Sequence, residues 1–261
     1  MSYVSLSYVQ LALAASLILV NGLLSYLLRL GLGRQLILAA FRMIVQLLLI
    51  GQVLRWVFGH ASAMIVVGLM LIMWLAASVA AIQRTERRYQ GIWLDGLASI
   101  GAGAWSMLAF ALAAVVRPTP WYMPQYAVPL LGMILGNTLS GVSLALNRYA
   151  DYVVDGRDRI ETLLALGATR WEAAEEAVRK AVRNGMIPTL NSMVVAGLVS
   201  LPGMMTGQLL SGIDPLLAVK YQIVILFLIA TGTSIGTVAV VLLGYRRLFS
   251  RAHQLELWRL G

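Results

Sequence analysis

The apolar positions of this chain fall into seven long blocks separated by short polar segments. Each block holds about 20 or more residues with few charges, the length an α-helix needs to cross a hydrocarbon core of about 30 Å. Because a backbone inside lipid must satisfy its own hydrogen bonds, the blocks predict an all-α polytopic membrane protein. The predicted spans are residues 6–28, 36–58, 61–82, 91–116, 126–147, 187–210 and 216–244.

Basic side chains are concentrated at one set of span ends. Most of the 20 Lys and Arg residues follow the first, third and fifth blocks or lie in the C-terminal tail. Since basic residues collect in cytoplasmic loops, the pattern predicts an external N-terminus and a cytosolic C-terminus. The same distribution accounts for the net charge of +9, so we expect contact with membrane lipid and no nucleic-acid partner.

Composition excludes several kinds of chemistry. The chain is 60% hydrophobic and 12% charged, against about 45–50% and about 25% in soluble domains. It has no cysteine and two histidines, which excludes disulfides and thiol catalysis and argues against a histidine-built metal cage. With no nucleophile–base cluster in the sequence, we expect a transporter rather than an enzyme. Residues 1–261 are predicted to form a single transmembrane domain, with the first block retained as a span.

A polar segment at about 148–187 predicts a helical hairpin between the fifth and sixth blocks. Gly167 follows an apolar run and is a candidate C-cap. Thr169, with Glu172 three residues later, predicts a capping box for the next helix. Pro188 predicts the end of that helix or a kink. One interpretation is an ordinary surface hairpin, and the other is a docking element for a partner protein.

Several motifs around this hairpin carry a family resemblance. They are ETLLALGAT, IPT, LVSLPGMMTG and GIDPLLAVKYQI over residues 160–225, GMILGN at 132–137 and RAHQL at 251–255. Together they resemble the FetB-type permease family of bacterial ABC transporters, whose plant relatives are linked to aluminium tolerance. The resemblance implies a multi-pass permease of the bacterial cytoplasmic (inner) membrane that exports iron as a homodimer.

The resemblance also implies that a separate cytosolic ATPase subunit supplies the energy. This chain has no G-x-x-x-x-G-K-[ST] phosphate loop. We therefore expect no cofactor on this chain, and ATP with Mg²⁺ on the partner. The hairpin is similar to the coupling loop of ABC permeases, which implies that the ATPase contacts Arg159, Glu161, Leu164, Gly167 and Ala168.

Pro202, with Gly203 beside it, lies inside the sixth predicted span. Proline removes a backbone hydrogen bond, so a kinked or broken helix is expected, and broken helices often form transporter sites. Met204 and Met205 are candidate metal ligands, although methionine also packs commonly in cores and thioethers prefer soft metals. The full set of candidate transport-path residues is Asn137, Asn191, Pro202, Gly203, Met204, Met205 and Gln208.

Two ionisable residues lie at similar depth within predicted spans. Since such groups are costly in lipid, Arg42 and Asp95 are predicted to form a structural ion pair. Asp214 and Pro215 predict the capped start of the last span.

Three functions remain open from the sequence. The first is an ABC permease exporting iron or a related metal ion, and the second is an ABC permease for an organic or conjugated solute. The third is an ATP-independent secondary transporter, which would need a coupling carboxylate in the membrane. Asp95 is the in-span candidate for that role.

Overall fold

The computed structural model describes residues 7–60, 62–250 and 252–260. Within these ranges the chain forms helices and no β-strands, which confirms the all-α prediction. The helices are α1 (Tyr8–Leu27), α2 (Gly33–Gly59), α3 (Ala63–Gln83), α4 (Ile92–Phe110), α5 (Pro124–Asp155), α6 (Arg157–Ala165), α7 (Arg170–Val195), α8 (Gly203–Leu210) and α9 (Pro215–Leu248). A π-helical turn, Ala111–Val116, extends α4, and a 3₁₀ turn, Leu257–Arg259, lies in the C-terminal tail.

Six helices in the described part of the chain are long and apolar enough to cross a membrane. They are Val9–Leu27, Gly33–Gly59, Ala63–Gln83, Ile92–Val116, Pro124–Asp155 and Pro215–Leu248. These match six of the seven predicted spans. The remaining predicted span, 187–210, is not one helix: it comprises the end of α7, a non-helical connection at 196–202, and α8.

The described residues of Met1–Ala61, together with Leu210–Gly212, form one compact unit. Ser7 and Gln10 cap α1 reciprocally, each side chain bonding the other's backbone N–H. The α1–α2 connection is fixed by Ser25, whose buried Oγ accepts a hydrogen bond from the Leu32 N–H at 2.9 Å. Because Leu32 immediately precedes α2, this bond ties the end of α1 to the start of the second helix.

The described residues of Ser62–Leu209 and Ile213–Gly261 form the second unit. Its central helix, α9, packs against α4, α5 and α7. A Cβ added at Gly103 of α4 would overlap the carbonyl of Gly232, and one at Gly185 of α7 would lie 2.8 Å from the Gly141 carbonyl oxygen. Small residues allow such close approach of membrane helices, so α4–α9 and α5–α7 meet almost backbone to backbone.

The start of α9 follows the predicted capping chemistry. Asp214 is the N-cap, and its Oδ1 accepts a hydrogen bond from the Leu217 N–H at 3.1 Å. Pro215 occupies the first helical position, where its missing N–H leaves no bond unmade. This prediction is confirmed.

Asp95 in the first turn of α4 pairs with Arg247 in the last turn of α9. The carboxylate is almost fully buried and accepts two hydrogen bonds from the guanidinium, at 3.1 and 3.2 Å. The sequence predicted Arg42 as the partner of Asp95, but the carboxylate is bound by Arg247, so the pair is corrected to Arg247–Asp95. Similar depth in two predicted spans does not determine which side chains meet.

Candidate functional site

The turn between α6 and α7 is closed by a Schellman motif. Gly167 adopts a φ of +92°, the left-handed conformation that glycine tolerates best. Its N–H donates to the Leu164 carbonyl at 3.1 Å, and the Ala168 N–H donates to the Leu163 carbonyl at 3.0 Å. The predicted C-cap is therefore confirmed.

The predicted capping box follows at once. The Glu172 N–H donates to Thr169 Oγ1 at 3.3 Å, and the Thr169 N–H donates to Glu172 Oε2 at 2.7 Å. The backbone bond from Thr169 holds the pKa of the Glu172 carboxyl below its usual value. The two caps fix the turn that joins α6 to α7. We call the whole segment, residues 157–187, the α6–α7 hairpin.

The hairpin surface is charged, and ion pairs tie its two helices together. Arg159 of α6 pairs with Glu176 of α7, whose carboxylate also binds Lys180 at 2.7 Å. Lys180 first and then Arg159 lower the pKa of Glu176. Glu161 accepts a hydrogen bond from Arg157 Nε at 2.8 Å. Each exposed ion pair of this kind adds little stability by itself. Together the pairs hold the charged side chains of the hairpin in defined positions.

The tip of the hairpin presents apolar area. Leu166 is 80% exposed and Trp171 is 42% exposed, whereas the predicted contact residue Leu164 is half-buried. Gly167 is exposed and Ala168 is half-buried. The five residues assigned to ATPase contact thus lie on one short element, with Leu166 as its most exposed apolar side chain.

A single helix runs from this tip to the interior of the unit. α7 continues through Pro188 to Val195, so Pro188 does not end it. Gly185 and Thr189, on either side of the proline, are both buried, and this packing holds the chain helical despite one lost hydrogen bond. At 1.5 Å per residue the 26-residue helix is about 39 Å long.

The predicted break at Pro202 is confirmed, and it is wider than the sequence suggests. Between α7 and α8 the chain leaves the helical conformation at 196–202. Gly197 takes a φ of +85°, and its N–H donates to the Ser200 carbonyl at 2.9 Å. The connection is therefore a small closed turn.

Two cavities flank the break. The first, which we call the polar cavity, has a volume of about 440 Å³ and includes residues of α5, α7 and α9. Its polar and sulfur-bearing lining residues are Met133, Asn137, Thr189, Ser192, Ser200, Met204 and Gln222. The second, the apolar cavity, has a volume of about 450 Å³. Pro202, Gln222 and Leu226 belong to the lining of both cavities.

The predicted path residues separate into three groups. Asn137, Pro202, Gly203 and Met204 line the polar cavity. Met205 lines the apolar cavity instead, so the two methionines do not lie in the same space. Asn191 and Gln208 are not among the lining residues of either cavity.

Gln222 lines both cavities and lies outside the set of transport-path residues predicted from the sequence. It is 7% exposed, and its Oε1 is buried without a hydrogen bond from any described residue. Leaving a buried acceptor unpaired costs about 1–3 kcal/mol. Thr189 and Ser192, three residues apart on one face of α7, also line the polar cavity.

The C-terminal tail contacts the start of α7, next to the tip of the hairpin. His253 Nδ1 accepts a hydrogen bond from the Arg170 N–H at 2.9 Å, and Arg170 also donates to the Ser250 carbonyl at 3.4 Å. The Trp171 and Tyr245 rings meet edge to face, with centroids 5.4 Å apart. The tail therefore joins the end of α9 to the start of α7.

Comparison with protein families shows which family this chain belongs to. A family model described as Uncharacterised protein family (UPF0014) matches residues 8–249. The chain belongs to the UPF0014 family. Relatives named as UPF0014 membrane proteins come from bacteria and from a plant, in agreement with the apolar helices.

Several UPF0014 relatives are similar over nearly their whole length. The UPF0014 membrane protein slr1647 of Synechocystis is 43% identical over 226 residues, which are 87% of each chain. The probable iron export permease protein FetB of Escherichia coli is 32% identical, covering 96% of this chain and 95% of FetB. Protein ALUMINUM SENSITIVE 3 of Arabidopsis thaliana is 30% identical, covering 94% and 88%. No solved structure matches the chain.

Proposed function

We propose that this UPF0014 protein is the permease subunit of an ABC transporter that exports iron or a related metal ion across the bacterial cytoplasmic membrane. The observation that supports this most is the continuity of α7, which begins at the capped hairpin and ends at the polar cavity. A rigid helix of this kind can carry a displacement from an ATP-driven partner to a substrate site. Iron is proposed as the substrate because the FetB relative is named a probable iron export permease.

The partner in this proposal is a separate ATPase that binds the hairpin tip. Leu166 offers apolar area, and the surrounding ion pairs offer a charged rim. An apolar centre with a polar rim is the usual composition of a protein interface. ATP and Mg²⁺ bind the partner, because this chain has no phosphate loop. Two copies of the permease form the membrane half of the complex, since each chain supplies one transmembrane domain.

The apolar cavity favours a second candidate, a permease for an organic solute. A space of about 450 Å³ lined by Ile223, Leu226 and Phe227 exceeds the volume that a bare ion needs and falls within the range of small-molecule sites. A secondary transporter has less support. Its coupling carboxylate would be Asp95, which is held by Arg247 and is not among the residues lining either cavity.

The test is transport by the reconstituted complex. The permease is purified with the ATPase that binds it, placed in lipid vesicles, and assayed for ATP-dependent movement of Fe(II) and of organic solutes. We expect ATP-dependent movement of Fe(II). ATP-dependent movement of an organic solute without metal would favour the second candidate, and movement that needs no ATPase would overturn the ABC assignment.

A hairpin variant links transport to the proposed partner. Leu166→Asp places a charge at the centre of the tip, and we expect loss of ATPase binding. Leu166→Met keeps the apolar volume and is the matched control. Equal ATPase binding by both variants would contradict the role of the hairpin.

A further inference from the structure

The polar cavity presents amide and hydroxyl oxygens that can accept hydrogen bonds or coordinate a cation. Asn137 Nδ2 donates to the Met133 carbonyl at 2.9 Å, and Ser192 Oγ donates to the Pro188 carbonyl at 2.9 Å. One N–H of Asn137 and the O–H of Ser192 are therefore used within their own helices. The amide oxygen of Asn137 and the lone pairs of Ser192 remain as acceptors for a ligand.

Gln222 adds an acceptor that has no partner. Its side chain is more than nine-tenths buried, and its Oε1 receives no hydrogen bond in the described part of the chain. It lies about 10 Å from the start of α9 at 1.5 Å per residue, in the wall that both cavities share. Buried polar groups are normally satisfied, and this oxygen is free to accept a hydrogen bond or to coordinate a cation.

The lining of the polar cavity is also neutral. Among its described residues none is acidic or basic, and its sulfur atoms come from Met133 and Met204. Neutral ligands offset the desolvation of a highly charged ion poorly. Thioethers prefer soft metals, whereas hard ions are usually bound by carboxylates and water.

We propose that the polar cavity binds a low-charge transition-metal cation of soft or borderline character, such as Fe(II) or Cu(I), with Gln222 Oε1 as a principal ligand. The site rejects trivalent ions and hard divalent ions, because it supplies no anionic oxygen. This inference rests on the proposed metal transport and specifies its substrate. Neutral oxygen and thioether ligands are the groups that recognise the cation.

The test measures binding to the purified full-length chain, without the ATPase. Equilibrium dialysis with elemental analysis compares Fe(II) and Cu(I), kept reduced, with Mg(II) and with Tb(III), a trivalent ion that stays soluble near neutral pH. We expect Fe(II) or Cu(I) to bind and the other two to bind at least tenfold more weakly. Equal or tighter binding of Mg(II) or Tb(III) would overturn the proposal.

Variants of Gln222 test the ligand itself. Gln222→Leu removes the oxygen and should weaken cation binding about tenfold or more, in the range that loss of a metal-supporting group produces. Gln222→Glu adds a carboxylate and should raise the binding of Tb(III) relative to Fe(II). Gln46→Leu, the same change at an exposed position of α2, is the matched control and should bind as the wild type does.

Folding and binding can be distinguished in these variants. Gln222 Oε1 accepts no hydrogen bond from a described residue, so Gln222→Leu removes an unpaired buried group and should melt at or above the wild-type melting temperature. Unchanged cation binding by a folded Gln222→Leu protein would refute the site. Vesicle transport separates the two proposals: Gln222-dependent binding without ATP-driven transport would refute the permease function alone, and transport unaffected by Gln222→Leu would refute the site alone.

Discussion

The contact between α5 and α7 offers a quantitative test of the packing. A Cβ added at Gly185 would lie 2.8 Å from the Gly141 carbonyl oxygen, 2.9 Å from Ala145 Cβ and 2.9 Å from Thr237 Cγ2. All three distances are shorter than ordinary van der Waals contact, and one of the atoms is backbone. Gly185→Ala must therefore push α7 away from both α5 and α9.

The size of the effect follows from a matched pair of substitutions. Replacing glycine by alanine in a helix gains about 1 kcal/mol of propensity, whereas overpacking a close contact costs about 1–3 kcal/mol. Gly68 of α3 has open space where its Cβ would be, so Gly68→Ala gains the propensity without the clash. The difference between the two variants isolates the steric cost, about 1–3 kcal/mol.

Thermal unfolding in detergent, followed by circular dichroism, measures this difference. At about 2–4 °C per kcal/mol for a chain of this size, Gly185→Ala should melt about 2–12 °C below Gly68→Ala. The same shift in both variants would refute the close α5–α7 contact. A melting temperature for Gly68→Ala below that of Gly185→Ala would refute the reasoning as well.

Three further predictions concern the hairpin. Gly167→Ala forces a Cβ into the left-handed region and should destabilise the turn by about 1–2 kcal/mol, measured as faster amide exchange at Ala168. His253→Ala removes the acceptor for the Arg170 N–H and should increase protease cleavage of the tail. Because the pKa of Glu172 is lowered in the folded state, its capping contribution to stability is present above pH 4.5 and is lost as the pH falls through the folded-state pKa. Amide exchange in the first turn of α7, corrected for the intrinsic rate, should rise in that acidic range.

Each of these three has a control. Gly167→Asn should cost less than Gly167→Ala, since asparagine tolerates the left-handed region. His60→Ala, at an exposed histidine near the end of α2, should leave cleavage of the tail unchanged. In Glu172→Gln the acid-induced rise at the first turn should disappear, and its persistence would assign the effect to another group.

The accuracy of the sequence predictions depended on how local the deciding interaction is. Gly167, Thr169 and Asp214 were placed correctly because a cap is formed within a few residues. Pro202 was correctly predicted as a break, but the turn at 196–202 also requires the Gly197–Ser200 bond, which no spacing rule predicts. The partner of Asp95 was missed because Arg247 is 152 residues away, and nothing local to either residue specifies that α4 packs on α9.

Pro188 shows how tertiary packing overrides a local rule. Proline inside a helix usually bends or ends it, which predicted an end or a kink at Pro188. The structure keeps α7 helical there because Gly185 and Thr189 are buried on either side. The sequence analysis therefore divided the helix that matters most for the proposed function into a hairpin helix and a separate span.

The close contact at Gly185 also constrains how α7 can act in the proposed transport cycle. Gly185 is fixed against α5 and α9, so α7 cannot slide along its axis without breaking that contact, and tilting about Gly185 is the easier motion. The hairpin end lies about 22 Å from this pivot and the cavity end about 15 Å, at 1.5 Å per residue. Thr189 and Ser192 of the polar cavity lie about 6 and about 10 Å beyond the pivot, so a displacement of the tip reaches them at about a quarter to about a half of its size and in the opposite direction. Closing the hairpin end would then move Thr189 and Ser192 relative to Gln222, which is the change that release of a bound cation requires.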